Sequence, residues 1–209
     1  MAQQFELGFD SAESHEPTNL LPAEGEAIYY GSLFIPREAD SFLQSLLTEV
    51  EWRHDECVMF GKRIVTARQV AWFGDHEFSY RYSGHSHTAH VWSPRLLEIK
   101  QVVEQRTGVS YNSCLLNRYH DGSEGMGWHQ DNEKELGPAP NIASVSFGAV
   151  RRFDFRHKNS REKVSVFLQH GSLLVMRGET QRHWQHQIPK ALKVQGERVN
   201  LTFRQIFEL

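Results

Sequence analysis

The stretch RVNLTFR, residues 198–204, alternates polar and apolar side chains along its whole length. In an extended strand, successive side chains point to opposite faces of the sheet. The polar face would consist of Arg198, Asn200, Thr202 and Arg204, and the apolar face of Val199, Leu201 and Phe203. The apolar face predicts packing into a core. The polar face is ordinary if it meets solvent, but inside a barrel it would be costly unless an anion satisfied it.

Short segments of similar character precede this one from about residue 112 onward. They are rich in Val, Ile, Phe and Leu and are separated by turns: SCLLNRYH, GWHQD, IASVSFG, RRFDFRH, KVSVFLQ, SLLVM and HWQHQI. Many short strands in series predict a sandwich or a barrel. One helix is expected after Pro36, and a second is expected to begin at Ser93 and end at Gly108. The predicted fold class is mainly β with flanking helices (α+β).

The composition fits one globular domain. The chain has 209 residues, a formal net charge of −3 and two cysteines, which suggests a reducing compartment and no disulfide scaffold. Its start has neither the basic nor the apolar part of a signal peptide, and no apolar run is long enough for a membrane helix. We expect residues 1–26 to form a flexible lead-in and residues 27–209 to form a single domain of a soluble monomer.

The segment GWHQD contains a candidate metal-binding pair, because His129 and Asp131 share one face of a strand. Such a pair with one distant histidine is the pattern of the two-histidine, one-carboxylate Fe(II) site. The later histidines are His157, His170, His183 and His186. We favour His186, with His183 second, because adjacent strands could then bring His186 and Arg198 to one cavity.

The His-x-Asp pair alone is weak evidence in a chain with twelve histidines. The polar face of residues 198–204 strengthens it. A guanidinium binds a carboxylate through two parallel hydrogen bonds, so two arginines beside a metal fit a dicarboxylate that chelates the metal. Asn117 and Tyr119 share a face of the segment LLNRYH, so this strand also presents polar side chains on one face.

Five longer segments together resemble the AlkB family of Fe(II)- and 2-oxoglutarate-dependent dioxygenases. They are NRYHDGSEGMGWHQDNEKEL, ASVSFGAVRRFDFRHK, HGSLLVM, HWQHQIP and RVNLTFRQI, and the resemblance covers roughly residues 58–207. It is closest to the branch that repairs alkylated bases in double-stranded DNA. The resemblance implies a double-stranded β-helix (jelly-roll) core at residues 112–209 and a nucleotide-recognition lid at residues 58–84.

The resemblance also implies roles for individual residues. The iron ligands would be His129, Asp131 and His186. Arg198 would hold the distal carboxylate of 2-oxoglutarate, with Tyr119 donating a hydrogen bond. Arg204 and Asn117 would lie near the metal-side carboxylate, and Asn200 and Thr202 would line the same wall.

The lid would supply most of the substrate contacts, and Glu133 would add one from outside it. Phe60, between Met59 and Gly61, would be a wedge inserted into the base stack, although an ordinary phenylalanine is more often a core residue. The remaining contacts would come from Tyr80 and Tyr82, which stack on the flipped base, from Glu133, which accepts from its exocyclic amine, and from Arg68 at the pocket entrance. The ordinary alternatives are a surface aromatic pair and a solvated turn acid.

The activity implied is oxidative demethylation of N-alkylated DNA bases, such as 1-methyladenine and 3-methylcytosine. It would consume O2 and 2-oxoglutarate and release formaldehyde, succinate and CO2. RNA or protein substrates, or a non-catalytic jelly-roll binding module, are the alternatives. Such an enzyme would work in the cytoplasm of a bacterium or the nucleus of a eukaryote.

Two further segments suggest partners. Residues 151–163 form the most basic stretch of the chain and are a candidate grip on the DNA backbone. Near the start, Gln4, Leu7 and Phe9 of QFELGF resemble the short peptide by which bacterial replication proteins dock on the sliding clamp.

Overall fold

A computed structural model describes residues 18–59, 62–76, 79–82 and 85–207, with side chains at all of these except residues 56–59, 62–64, 79–82 and 85–88. The elements are, in chain order, β1 (Glu26–Ser32), α1 (Pro36–Glu49), β2 (Arg53–Met59), β3 (Lys62–Gly74), β4 (Ser79–Tyr82), β5 (His85–Thr88), β6 (His90–Val91), α2 (Pro94–Thr107), β7 (Ser113–Tyr119), β8 (Met126–His129), a 3-10 turn (Lys134–Leu136), β9 (Ile142–Gly148), β10 (Arg151–His157), β11 (Lys163–Leu168), β12 (Ser172–Arg177), α3 (Thr180–His183), β13 (Trp184–Ile188) and β14 (Arg198–Arg204).

The strands form two principal sheets. The major sheet has the order β1-β12-β9-β14-β7-β3-β2, with β6 beside β3, and the minor sheet has the order β11-β10-β13-β8. Among the described residues, strands β4 and β5 form a separate two-stranded sheet. The pairings are antiparallel except that of β3 with β6. The predicted fold class, a mainly β protein with a jelly-roll core and flanking helices, is confirmed.

The two long helices cover the outer face of the major sheet. As predicted, α1 follows Ile35 and α2 is capped by Ser93, whose Oγ accepts from the Leu96 N–H at 3.3 Å. Gly108 ends α2 in the left-handed conformation at φ 69°, which glycine adopts without strain. None of the helices in the described part of the chain is long and apolar enough to cross a membrane.

Strand β14 has the two faces that its sequence predicts. Val199, Leu201 and Phe203 are fully buried in the apolar cluster beneath α1 and α2. The alternate residues of β14 point to the other side, toward the minor sheet, where they line a cavity. The polar face is therefore interior, which is the costly case that requires an anion.

A second apolar cluster lies between the two sheets and joins Phe153 and Phe155 of β10 to Leu174 and Met176 of β12. Residues just before β1 also pack here, since Leu21 is buried in this cluster. The Trp184 indole donates to the Ala23 carbonyl at 3.0 Å. Asn19 forms an isolated antiparallel β-bridge with Ile28. The first 17 residues of the predicted lead-in, including Gln4–Phe9, lie outside the described residues.

Candidate active site

The two sheets enclose a cavity of about 940 Å³. Strands β7 and β14 of the major sheet form one wall, and β8 and β13 of the minor sheet form the other. The residues predicted to bind iron or 2-oxoglutarate all line it: His129, Asp131, His186, Asn117, Tyr119, Arg198, Asn200, Thr202 and Arg204. Such a concentration of polar groups in an interior is expected of a ligand site.

Three potential metal ligands converge at one end of the cavity. Strands β8 and β13 pair antiparallel with His129 directly opposite His186, and Asp131 follows two residues after the end of β8. The Nε2 atom of each histidine lies 3.9 Å from Asp131 Oδ1. All three donor atoms are within 4.8 Å of one another. Two imidazole nitrogens and one carboxylate oxygen suit Fe(II) and leave positions open for other ligands.

One prediction about this arrangement is wrong. We expected His186 and Arg198 to extend from adjacent strands. Strand β13 instead belongs to the minor sheet and β14 to the major sheet. The connection at residues 189–197 crosses from one sheet to the other instead of forming a hairpin, so the two side chains line the cavity from opposite walls.

Neighbouring groups orient the three ligands. His129 Nδ1 lies 2.8 Å from the Gly127 carbonyl oxygen. Because a carbonyl can only accept, Nδ1 carries the proton and Nε2 keeps its lone pair for a metal. The Asp131 backbone N–H donates to Gln181 Oε1 at 2.9 Å, and the Phe153 ring stacks on His186 with centroids 5.3 Å apart.

The charges of the site favour metal binding. Burial opposes the charge on Asp131, but Arg204 and the two histidines hold the pKa of its carboxyl well below the usual range. Arg204 Nη2 lies 2.6 Å from Asp131 Oδ2, while Oδ1 is the oxygen near the histidines. Burial lowers the pKa of His129, and burial together with the charge of His129 lowers the pKa of His186 to about 3. A charged carboxylate and neutral imidazoles are the forms that bind metal.

Arg198 provides an anion receptor further along the same wall. It is 1% exposed, and its Nη2 donates to Asn200 Oδ1 at 2.7 Å and Ser146 Oγ at 2.9 Å. Its Nε and Nη1 are buried, and neither has a hydrogen-bond partner among the residues that the structure describes. Burial lowers the pKa of Arg198 to about 10, so the guanidinium remains charged at neutral pH. Two orphaned donors on a buried cation fit a carboxylate, as the distal end of 2-oxoglutarate would supply.

Comparison with known proteins agrees with this chemistry. The family described as the 2OG-Fe(II) oxygenase superfamily matches residues 26–204. The chain belongs to this superfamily. The oxygenase is 44% identical over 195 residues to human "DNA oxidative demethylase ALKBH2", covering 88% of this chain and 75% of that protein. It is 37% identical over 180 residues to human "Alpha-ketoglutarate-dependent dioxygenase alkB homolog 3", covering 82% and 63%.

These relatives confirm the resemblance to the AlkB family. A solved structure, "The structure of OsALKBH1", matches the oxygenase with a TM-score of 0.61 at 17% identity, covering 86% of this chain and 96% of that one, and supports the fold. The oxygenase is thus an enzyme that uses Fe(II), 2-oxoglutarate and O2. The donor set at His129, Asp131 and His186 and the orphaned donors of Arg198 fit that requirement.

Two of the predicted substrate residues line the cavity of the oxygenase. Arg68 is buried and forms an ion pair with Asp55 of β2. Burial of Glu133 raises the pKa of its carboxyl, and its Oε2 has no hydrogen-bond partner in the described part of the chain. Phe60 lies outside the described residues, and for Tyr80 and Tyr82 only the backbone, in β4, is described. The roles of these five in substrate binding stay predictions.

Sequence patterns missed several residues that support the site. Asp55 neutralises Arg68, Gln181 holds the Asp131 backbone, and Ser146 shares Asn200 with Arg198. None belongs to a recognisable motif. The role of each residue becomes visible only in the structure, where segments distant in sequence lie side by side.

The prediction that residues 151–163 contact the DNA backbone is wrong for Arg151. This residue is 1% exposed, and its guanidinium donates to the carbonyls of Asp121, Glu124 and Pro189 at 3.2, 2.7 and 2.8 Å. It therefore ties the loop between β7 and β8 to the connection between β13 and β14, and it has little surface for DNA. Arg156 lies 4.2 Å over the Trp128 ring, where cation–π attraction occupies it.

Proposed function

We propose that the oxygenase removes alkyl groups from N-alkylated DNA bases of the 1-methyladenine and 3-methylcytosine type, with formaldehyde, succinate and CO2 as products. The observation that carries this proposal is the 44% identity to a protein named DNA oxidative demethylase over 88% of the chain. The cavity supports it, because one wall can hold a metal and the other a dicarboxylate.

In this proposal His129, Asp131 and His186 hold the iron. The bound iron, with 2-oxoglutarate and O2, supplies the oxidant that hydroxylates the N-methyl group, which then leaves as formaldehyde. The protein chain positions the metal ligands. Gly127 and Gln181 fix two of the ligands, and the surrounding apolar side chains limit the access of water to the reaction.

The co-substrate would lie along the wall formed by β7 and β14. Arg198 would bind its distal carboxylate with its buried guanidinium, and the Tyr119 ring, 5.3 Å from that guanidinium, limits its movement. Arg204 would direct positive charge toward the metal-side carboxylate while it holds Asp131 by Oδ2. Asn117 would stand beside it, and Asn200 and Thr202, joined by a 2.9 Å hydrogen bond, complete the wall.

The substrate base would enter at the metal end. A methyl group on adenine N1 or cytosine N3 makes the base cationic and blocks pairing, so the base leaves the duplex more easily. Tyr80 and Tyr82 would stack on it, and a cation–π attraction adds roughly 0.5–2 kcal/mol. Glu133, with an unpartnered carboxylate oxygen in the cavity, would accept from the exocyclic amine, and Arg68 would border the entrance.

The direct test is an assay with a methylated oligonucleotide. The protein is loaded anaerobically with Fe(II) and 2-oxoglutarate, exposed to O2, and formaldehyde is measured. We expect formaldehyde from methylated DNA, none from unmodified DNA, and none when zinc replaces iron. Activity on methylated RNA or on a protein but not on methylated DNA would contradict the proposal.

Preference for duplex DNA is tested in the same assay by Phe60→Ala. Loss of a wedge forfeits part of the few kcal/mol needed to unstack a base, so duplex activity should fall roughly tenfold or more while single-strand activity stays within about twofold. Phe167→Ala, an exposed phenylalanine on β11, is the matched control and should change neither. Equal losses on both substrates would remove the wedge from the proposal.

We also infer that the segment Gln4–Phe9 docks on a sliding clamp. The support is the sequence pattern alone, in which apolar residues follow a glutamine at the spacing of a short groove-binding peptide. A pull-down with clamp should recover the full chain and lose it in the Gln4→Ala, Phe9→Ala variant. Equal recovery of both proteins would exclude the contact.

A further inference from the structure

A second group of metal-ligating side chains lies apart from the cavity. Glu24, His157 and His183 bring one donor atom each within 4.8 Å of one another, and none of the three lines the cavity. Glu24 precedes β1, His157 ends β10 and His183 ends α3. Pairing of β10 with β13 sets His157 opposite Trp184, which places the two histidines side by side.

His157 presents a buried nitrogen to this cluster. It is 7% exposed, and its Nε2, 2.9 Å from Glu24 Oε2, forms no hydrogen bond with the residues described. Ser160 contacts the other ring nitrogen, Nδ1, with its hydroxyl at 2.9 Å and its backbone N–H at 3.1 Å. The backbone N–H donates to Nδ1, so the ring proton is on Nε2, beside Glu24. A metal at Nε2 would move that proton to Nδ1, where the Ser160 hydroxyl would accept it in place of the backbone N–H.

His183 completes the set from the other side. Its Nδ1 lies 3.6 Å from Glu24 Oε1, and its Nε2 lies 3.6 Å from Glu179 Oε2. Ligand atoms of a tetrahedral zinc ion, with bonds of about 2.0–2.1 Å, are about 3.3 Å apart. The two histidine nitrogens lie 2.9 and 3.6 Å from the two different oxygens of the Glu24 carboxylate. The contact of Glu179 with Nε2 of His183 is of a common type, in which a carboxylate orients a metal-bound histidine by contacting the ring nitrogen that does not bind the metal.

We propose that Glu24, His157 and His183 bind one divalent ion, zinc(II), at a structural site separate from the catalytic iron. Two imidazoles and one carboxylate are an established zinc donor set. The fourth position would hold water.

The ion would stiffen the wall that presents the iron ligands. It would join the segment before β1 to β10 and α3. Within α3, Gln181 accepts from the Asp131 backbone, and the strand that follows α3 carries His186. Zinc at the second site would thus stabilise the fold near the catalytic ligands without entering the reaction.

The test isolates the second site by removing the first. A His129→Ala, Asp131→Ala double variant is stripped with a chelator, and zinc binding is measured by competition with a chromophoric chelator. We expect one zinc ion bound per chain and a rise in Tm on adding zinc. Cobalt(II) should give the visible absorption of a tetrahedral site. Failure of this double variant to bind zinc would overturn the proposal.

Variants within the cluster decide whether these residues bind the ion. Adding His157→Gln, His183→Ala or Glu24→Gln should weaken zinc binding at least tenfold and remove the Tm response. Glu24 has a side chain 51% exposed, so its variant is expected to fold even if the others do not. His120→Ala is the matched control, because His120 also pairs with a glutamate, at 2.9 Å, but outside the cluster. Unchanged zinc binding in Glu24→Gln, or an equal loss in His120→Ala, would refute the assignment.

Discussion

Replacing Asp131 by alanine is expected to lower turnover by more than about a hundredfold. Even the hydrogen-bond partners of metal ligands are worth 10–100-fold in metal affinity or activity, and Asp131 is proposed as a ligand itself. His129→Ala and His186→Ala should cause losses of the same order. The measurements are formaldehyde release and the iron content of the protein after gel filtration. The histidine control is His120→Ala, which should keep both.

The three ligand variants should differ in stability when no metal is present. Asp131→Ala also removes the buried ion pair with Arg204, and breaking such a pair costs about 3–5 kcal/mol. His129→Ala and His186→Ala leave that pair intact. Urea unfolding of the metal-free proteins should therefore rank Asp131→Ala as the least stable. An Asp131→Ala protein that retained iron and turnover would end the assignment of the metal site.

Local sequence patterns predicted the faces of β14 correctly. Alternation is a property of neighbouring residues, so it could assign Val199 and Leu201 to the apolar core and Asn200 to the polar face before any partner strand was known. The ends of α2 were predictable for the same reason. Ser93 and Gly108 act on backbone groups only a few residues away.

Contacts between distant segments were not predictable in this way. The crossing from β13 to β14 depends on which sheet each strand joins, and a connection of the same length could have formed a hairpin. The Asp55–Arg68 pair forms across β2 and β3, where the register shifts between His54 and Glu56. Such an irregularity leaves no mark in the alternation of side chains.

The charge of a residue also failed to predict whether its side chain is exposed to solvent. Arg151 belongs to the most basic stretch of the chain, yet three backbone carbonyls bind its guanidinium in the interior. Arg198 is equally buried, and its two orphaned nitrogens mark it as a receptor. Only the positions of the hydrogen-bond acceptors separate a structural arginine from a ligand-binding one.

That difference predicts opposite results for Arg198→Met and Arg151→Met. Without 2-oxoglutarate, Arg198→Met removes a buried cation with unsatisfied donors, so the free energy of unfolding should stay within about 1 kcal/mol of the parent or rise. Its KM for 2-oxoglutarate should increase by roughly a hundredfold or more, because removing one partner of a buried charge pair costs about 2–5 kcal/mol.

Arg151→Met should show the reverse. Three carbonyl acceptors lose their donor, so the free energy of unfolding should fall by about 2–4 kcal/mol, while the KM for 2-oxoglutarate changes less than about threefold. Urea unfolding and initial rates against 2-oxoglutarate concentration separate the two cases. Addition of 2-oxoglutarate should also raise the Tm of Arg151→Met but not that of Arg198→Met. If the two variants lost co-substrate affinity equally, the orphaned nitrogens of Arg198 would not be the carboxylate receptor.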